Sequence, residues 1–164
     1  MIEQHFLDDC VFQLRKLKAQ ADKAMAQVED PQFFALLDPD ANSIALIVKH
    51  VAGNMRSRWT DFLTTDGEKP DRDRDSEFER DTADSRHAIM ARWDAGWEIL
   101  FTTLTSLGPA DLSRSVTIRD EPHTVVQAIN RQLSHYSAHV GQIVLLAKHY
   151  AGPSWQTLSI PKRK

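Results

Sequence analysis

A chain of 164 residues with 41% hydrophobic and 26% charged side chains has the make-up of one globular domain, 1–164, whose core is large enough to need no disulfides. A formal net charge of −3 excludes a broad nucleic-acid surface, which requires a basic stripe; the one cationic cluster, Lys162, Arg163 and Lys164, follows Pro161 and reads as a frayed, solvated end. No apolar run is long enough to span a bilayer, no secretory leader precedes Asp8 and Asp9, and the single Cys10 has no partner in the chain, so a cytoplasmic address and no membrane partner are expected.

In chain order, the first helix is predicted over 2–28, where Phe6, Cys10, Leu14 and Leu17 recur at spacings of three and four. Cys10 on that stripe reads as a packed thiol. Asp30-Pro31 restarts the chain, and Phe33, Phe34, Leu36 and Leu37 suit a short covering turn before the loop residues Asp38-Pro39-Asp40. Asn42 and Ser43 are caps for a second helix over 44–63, buried along Ile44, Val48, Val51, Met55 and Phe62. Residues 64–76 are polar, carry Gly67 and Pro70, and read as a long exposed loop.

A third helix is predicted over 81–107 with Ile89, Trp93, Trp97, Leu100 and Leu104 inward, stopped by Gly108-Pro109. Val116 and Ile118 then alternate with Ser115, Thr117 and Arg119 before a turn at Asp120-Glu121-Pro122, the pattern of a short strand or hairpin. The last helix is read over 124–150 and ends at Gly152-Pro153. The expected fold is all-α, a four-helix bundle with a short β-hairpin before the last helix.

Of seven histidines, His135 and His139 stand four apart in the most regular helix. That spacing stacks two side chains on one face, about 5–6 Å apart at Cβ, so both imidazoles can reach one ion. Gln132 and Gln142 make the same face semi-polar, unlike the stripe of a simple core helix. His50, flanked by Ile47, Val48 and Val51, needs a partner if buried. A metal is one solution and a backbone carbonyl is the other. Three imidazoles and a water make an open, catalytic-type site, because structural zinc sites fill all four positions with protein. The pattern is not that of a zincin, since Tyr136 follows His135 where that motif places its glutamate, and no catalytic residue is assigned. All-imidazole ligation suits zinc, nickel, copper or iron.

The stretch Arg131-Gln-Leu-Ser-His135-Tyr-Ser-Ala-His139-Val-Gly141-Gln142-Ile143, together with Asn42 to Trp59 around His50, Gly53 and Asn54, resembles the signature of a bacterial subgroup of the DinB/YfiT-like superfamily of metalloenzymes. The resemblance covers nearly the whole chain. It implies a four-helix bundle, commonly a homodimer, whose metal-ligating histidines fall on His50, His135 and His139. It also implies one divalent transition metal, with zinc and nickel the leading expectations. Relatives in that superfamily include bacillithiol S-transferases and a mycothiol-dependent maleylpyruvate isomerase. They suggest a thiol-dependent S-transferase or isomerase that acts with a small-molecule thiol on an electrophilic substrate. A metal-dependent hydrolase, a metal-binding protein without turnover and a purely structural bundle are the alternatives.

Asp71, Asp73 and Asp75 have the spacing of a calcium loop, but Ser76 and Thr82 occupy its glycine and glutamate positions, and Arg72 and Arg74 interleave as counter-charges. A solvated loop or lid is expected there. Trp59, Trp93, Trp97 and Trp155 are candidates to line a pocket, although Trp93 and Trp97 suit core or interface packing better. Arg58 is a candidate to hold an anionic group, and Asn54 to orient His50. His5, His87, His123 and His149 are expected at the surface.

Overall fold

A computed structural model describes residues 1–161, so the cationic cluster at Lys162, Arg163 and Lys164 lies outside the described residues. The chain is mostly helical, in the order α1 (Ile2–Met25), α2 (Asp30–Phe33), α3 (Ile44–Trp59), α4 (Arg86–Ser106), β1 (Ser115–Ile118), β2 (Glu121–Thr124) and α5 (Val125–Ala151). Side chains set the helix starts. Ser43 Oγ accepts from Leu46 N at 3.2 Å, Ser85 Oγ from Ala88 N at 3.1 Å, and Thr124 Oγ1 from Gln127 N at 3.2 Å. Gln127 Oε1 returns the bond to Thr124 N at 2.8 Å, completing a capping box. Gly152, at φ 54°, turns the chain out of α5 ahead of Pro153.

Two ends differ from the periodicity. α3 stops at Trp59 rather than 63, because Thr60 is extended and Asp61 takes a φ of 48°. α4 starts at Arg86 rather than 81, because Asp84 is engaged elsewhere: its carboxylate accepts from Lys49 Nζ at 2.6 Å. That lysine also donates to the Glu79 carbonyl at 2.7 Å, pinning the segment ahead of α4 onto α3.

α3 packs against α4, α1 packs against α5, and α3–α5 and α1–α4 contacts join the two pairs. The α3–α4 approach runs through Gly96, where a Cβ would lie 2.9 Å from Met55 Cε and 3.4 Å from the Ala52 carbonyl oxygen. Leu14, Met55, Trp59, Trp93, Trp97, Leu100 and Tyr136 are fully buried in the core between these helices. The faces expected inward on the second and third long helices are the buried ones, and on the first Cys10 and Leu14 are buried with Phe6 and Leu17 packed partly buried against them. Trp93 and Trp97 are packed inside the chain, so the third long helix does not present them to a second copy. Among the described residues, no helix is long and apolar enough to cross a membrane.

The hairpin forms, with Val116 opposite His123 and Thr117 opposite Pro122. Its turn is Arg119-Asp120, both at positive φ (55° and 61°), rather than Asp120 to Pro122. Two left-handed residues make the tight connection whose twist matches a hairpin. Asp66 holds it by accepting from Arg119 N and Asp120 N, each at 2.9 Å. In a two-stranded sheet both strands are edges, so Pro122 costs no ladder bond on its free side.

The segment between α3 and α4 is more than the exposed loop its polarity suggested. Gly67 N donates to the Thr117 carbonyl at 2.8 Å, and Ser57 Oγ donates to the Gly67 carbonyl at 2.8 Å while accepting from Lys69 N at 2.9 Å. Gly67, Glu77 and Asp84 are buried. Glu77 sits in a 3-10 turn, Asp75–Phe78, that packs on α3.

Candidate metal centre

α3 carries His50, and α5 carries His135 and His139 one turn apart. The α3–α5 contact brings all three imidazoles together, and each offers one ring nitrogen within 4.8 Å of the others. His135 Nε2 lies 3.2 Å from His50 Nε2 and 3.1 Å from His139 Nε2. Nitrogens bound at zinc-like distances to one tetrahedral ion stand about 3.4 Å apart, so the two spacings are close to those of a shared ligand set. Among the described residues this is the only group of three or more histidine, cysteine or acidic side chains so placed.

Hydrogen bonds at the far nitrogens decide what the near ones present. His50 Nδ1 is 2.9 Å from Glu77 Oε2, and both are buried. Burial alone would raise the Glu77 pKa, but bonds from His50 and Arg72 and the Arg72 charge hold it below the usual carboxylate value. An ionised carboxylate can only accept, so His50 Nδ1 carries a proton, which in the neutral ring leaves Nε2 its lone pair. His139 Nδ1 likewise donates to Gln142 Oε1 at 2.8 Å, which leaves its Nε2 bare.

His135 Nδ1 is buried with no hydrogen-bond partner. Burial first, then His139, His50, Arg58 and Arg72, push the His135 pKa down to about 3, and burial also lowers that of His139. Without a cation, either tautomer of neutral His135 leaves a lone pair or an N–H unmatched at the cluster. A cation among the three Nε2 atoms matches every lone pair and leaves only the His135 Nδ1–H without a protein partner. The donor set fits a divalent transition metal.

Glu77 and Arg72 were not found from sequence. Arg72 Nε donates to Glu77 Oε1 at 2.8 Å and Nη2 to Oε2 at 2.9 Å, a two-pronged clamp that leaves the carboxylate one direction for His50. The only trace in sequence is Gly53, one turn after His50. A Cβ there would lie 2.8 Å from Glu77 Cδ and closer still to Oε1, so glycine is what admits the carboxylate. Asn54 does not take the role expected for it; its Oδ1 accepts from Tyr136 Oη at 2.9 Å, and that hydroxyl accepts from Trp59 Nε1 at 3.0 Å. The same bonds place Trp59 in the core, and Trp93 donates to Asp22 Oδ1 at 2.8 Å.

The aspartates of the 71–75 stretch do not gather. Asp71 pairs with Arg56 at 2.7 Å, and Asp73 accepts from Ser76 N. His5, His87 and His149 are exposed and His123 is half-buried, and none of them belongs to the cluster. Cys10 is buried in α1 and its thiol is pushed up to about 11 by burial and then by Asp9, the state of a packed rather than a reactive sulfur.

His50 and His135 open onto a cavity of about 350 Å³ whose wall also includes Arg58, Arg72, Arg131 and Gln132. A larger cavity of about 580 Å³, on the Lys49 and Asp84 side of Glu77, touches none of the three histidines.

One family model, described as a protein of unknown function (DUF1572), matches the chain over residues 1–164. Searches of curated proteins and of solved structures return no match.

Proposed function

The chain belongs to the DUF1572 family, and we propose that it is a metal-dependent enzyme whose His50, His135 and His139 hold one divalent transition metal ion, zinc or nickel. The observation that carries this reading is the convergence of three Nε2 atoms, two of them on rings whose Nδ1 faces an acceptor, the arrangement that turns the lone pair of the neutral imidazole toward the cluster. Three protein ligands beside a cavity suit a site that works on a substrate better than a closed structural one. A divalent cation on neutral ligands supplies Lewis acidity, which lowers the pKa of a thiol or water that it binds.

The chain's own groups frame that chemistry. Glu77 and Gln142 fix the rings of His50 and His139, and core packing around Tyr136 fixes the helix that carries His135. Both Glu77 oxygens are engaged by Arg72 and His50, so this carboxylate is not a free proton acceptor. Cys10 is the chain's one cysteine and is buried in α1, so an attacking sulfur has to arrive on a small-molecule thiol. We therefore read the protein as a thiol-dependent S-transferase or isomerase acting on an electrophilic substrate. The resemblance to the DinB/YfiT-like superfamily supports this, and with it a four-helix bundle and a homodimer. Light scattering at micromolar concentration should then give about twice the 18.7 kDa chain mass.

The test is element-resolved metal analysis of untagged protein. About one equivalent per chain is expected, with strong loss in each of His50→Ala, His135→Ala and His139→Ala. Equal trace metal in wild type and His139→Ala would end the reading. Cobalt-substituted protein should further develop a thiolate charge-transfer band on adding a low-molecular-weight bacterial thiol, absent in His135→Ala. An unchanged spectrum would remove the thiol step and leave metal-dependent hydrolysis or metal binding alone.

A further inference from the structure

We propose that the cavity beside the histidine cluster is an oxyanion-binding site, in which Arg131 and Arg74 hold a carboxylate or phosphate group of the substrate. The proposal rests on the metal-dependent reading above, and it names the substrate class that site takes.

The cavity wall carries five arginines, Arg58, Arg72, Arg74, Arg119 and Arg131, and no carboxylate. Four of these arginines fall into two groups. Arg58 is buried and donates to the Gly67 carbonyl and to Glu68, and Arg72 clamps Glu77 and Glu68. They hold the fold, so Arg58 is not the free anion-holding group its sequence position suggested. Arg119 is intermediate, with Nε on Glu68 at 2.9 Å and half of its side chain exposed.

Arg131 and Arg74 have no such duty. Among the described residues, Arg131, on α5 one turn before His135, has a single polar side-chain contact, His123 Nε2 at 3.4 Å. Arg74 there reaches only Asp75, at 3.6 Å, and that carboxylate is 93% exposed. Its guanidinium lies 5.1 Å over the Phe78 ring, and Phe78 in turn packs 4.7 Å from the His50 ring. The stacking places a cation next to the aromatic neighbour of His50, on the segment between α3 and α4, while Arg131 reaches the same cavity from α5.

A chain of net charge −3 that concentrates arginines around one small cavity raises a local positive potential, and a divalent cation on neutral imidazoles adds to it. Neutral or cationic substrates gain nothing from such a field. A planar, two-oxygen anion matches guanidinium forks in shape and charge. Gln132 lines the same wall, is 3% exposed, and has its Oε1 buried without a partner. That oxygen can only accept, so it suits a hydroxyl or protonated acid group carried beside the anion. The larger cavity is lined by both signs of charge and has no such preference.

Calorimetric titration of the full chain with succinate and with inorganic phosphate tests the assignment. At least one probe is expected to bind with one-to-one stoichiometry, and the better one identifies the group as carboxylate or phosphate. Arg74→Gln/Arg131→Gln should weaken that binding by at least about tenfold at unchanged metal content, while Arg114→Gln, outside the cavity, shifts it by less than about twofold. His135→Ala, which interrogates the metal reading separately, should lose only the cation's share of the field and still bind the probe in a way that depends on the arginine pair. Wild type that binds a probe through these arginines but retains no metal would sink the metal reading and leave the oxyanion site standing. The site is overturned if neither probe binds, or if binding ignores the arginine pair and disappears in His135→Ala.

Discussion

Glu77 Oε2 lies 2.9 Å from His50 Nδ1, across 27 residues of chain. This contact converts His50 from a buried histidine among aliphatic neighbours into a directed one. Arg72 holds both oxygens of the carboxylate, so the acceptor is charged and immobile, and the Nε2 lone pair of His50 can point only toward His135 and His139.

Removing the charge from that acceptor should loosen the metal site. Glu77→Gln is expected to lower metal affinity by about 10- to 100-fold, as changes to such outer partners do. Competition against a chelating dye measures it, with circular dichroism checking that the helices remain. Unchanged affinity in a folded variant would show that Glu77 does not orient His50.

Gly53→Ala separates helix stability from site geometry. Alanine is favoured over glycine inside a helix by about 1 kcal/mol. Here, however, its Cβ meets Glu77 Cδ at 2.8 Å and must push the carboxylate away from His50. The variant should keep its helical signal yet lose metal at chelator concentrations the wild type withstands. If it retains metal as wild type does and melts higher, the glycine has no role in admitting Glu77.

Chelation should lower the melting temperature without unfolding the chain. Tryptophans, Tyr136 and long apolar helix faces supply a core that does not depend on three imidazoles, in contrast to a small zinc domain. Far-ultraviolet circular dichroism before and after chelation reads this directly. Loss of the helical signal at room temperature would contradict it.

Acid should weaken the loop that carries the clamp. Burial opposes ionisation of Glu68, but bonds from Arg119 and Arg58, with the charge of Arg72, bring its pKa from 4.5 to about 2. A folded-state pKa below the unfolded value means that the stabilisation is complete above about pH 5 and is lost as pH falls toward 2. Glu68→Gln should thus cost on the order of 2 kcal/mol at pH 7, and less at each step down from pH 5. Denaturant melts of both proteins at pH 7, 4 and 2.5 give the comparison. A gap that stays constant across that range would rule out this carboxylate as the titrating group.

His135 and His139 were legible because a helix repeats every 3.6 residues, so a spacing of four fixes a shared face before any fold exists. The inward faces Ile89-Trp93-Trp97 and Ile44-Val48-Val51 followed from the same repeat, and the start at Ser43 from a hydroxyl that bonds the amide three residues on, whereas the cap at Ser85 was hidden by the acidic residues ahead of it. His50 was legible as a candidate only, since its burial could be answered by a carbonyl as well as by a metal. The resemblance joined it to the pair on α5.

Other features depended on contacts with no period. Residues 64–76 look like solvated loop because their polarity is real, yet Gly67, Ser57 and Thr117 bond across the fold and draw the segment over α3. Glu77 and Arg72 are ordinary charged residues locally, and only the α3 surface around Gly53 makes one of them a partner of His50. Arg58 read as an anion holder until Gly67 and Glu68 claimed it, and Arg131, whose polar side-chain contact among the described residues is His123, came forward only in the fold. The helix faces and the cap at Ser43 are short-range consequences of backbone geometry, so the sequence by itself determined them. The far-nitrogen partners of the histidines and the free arginines are set by where distant segments dock, so only the tertiary structure decided those.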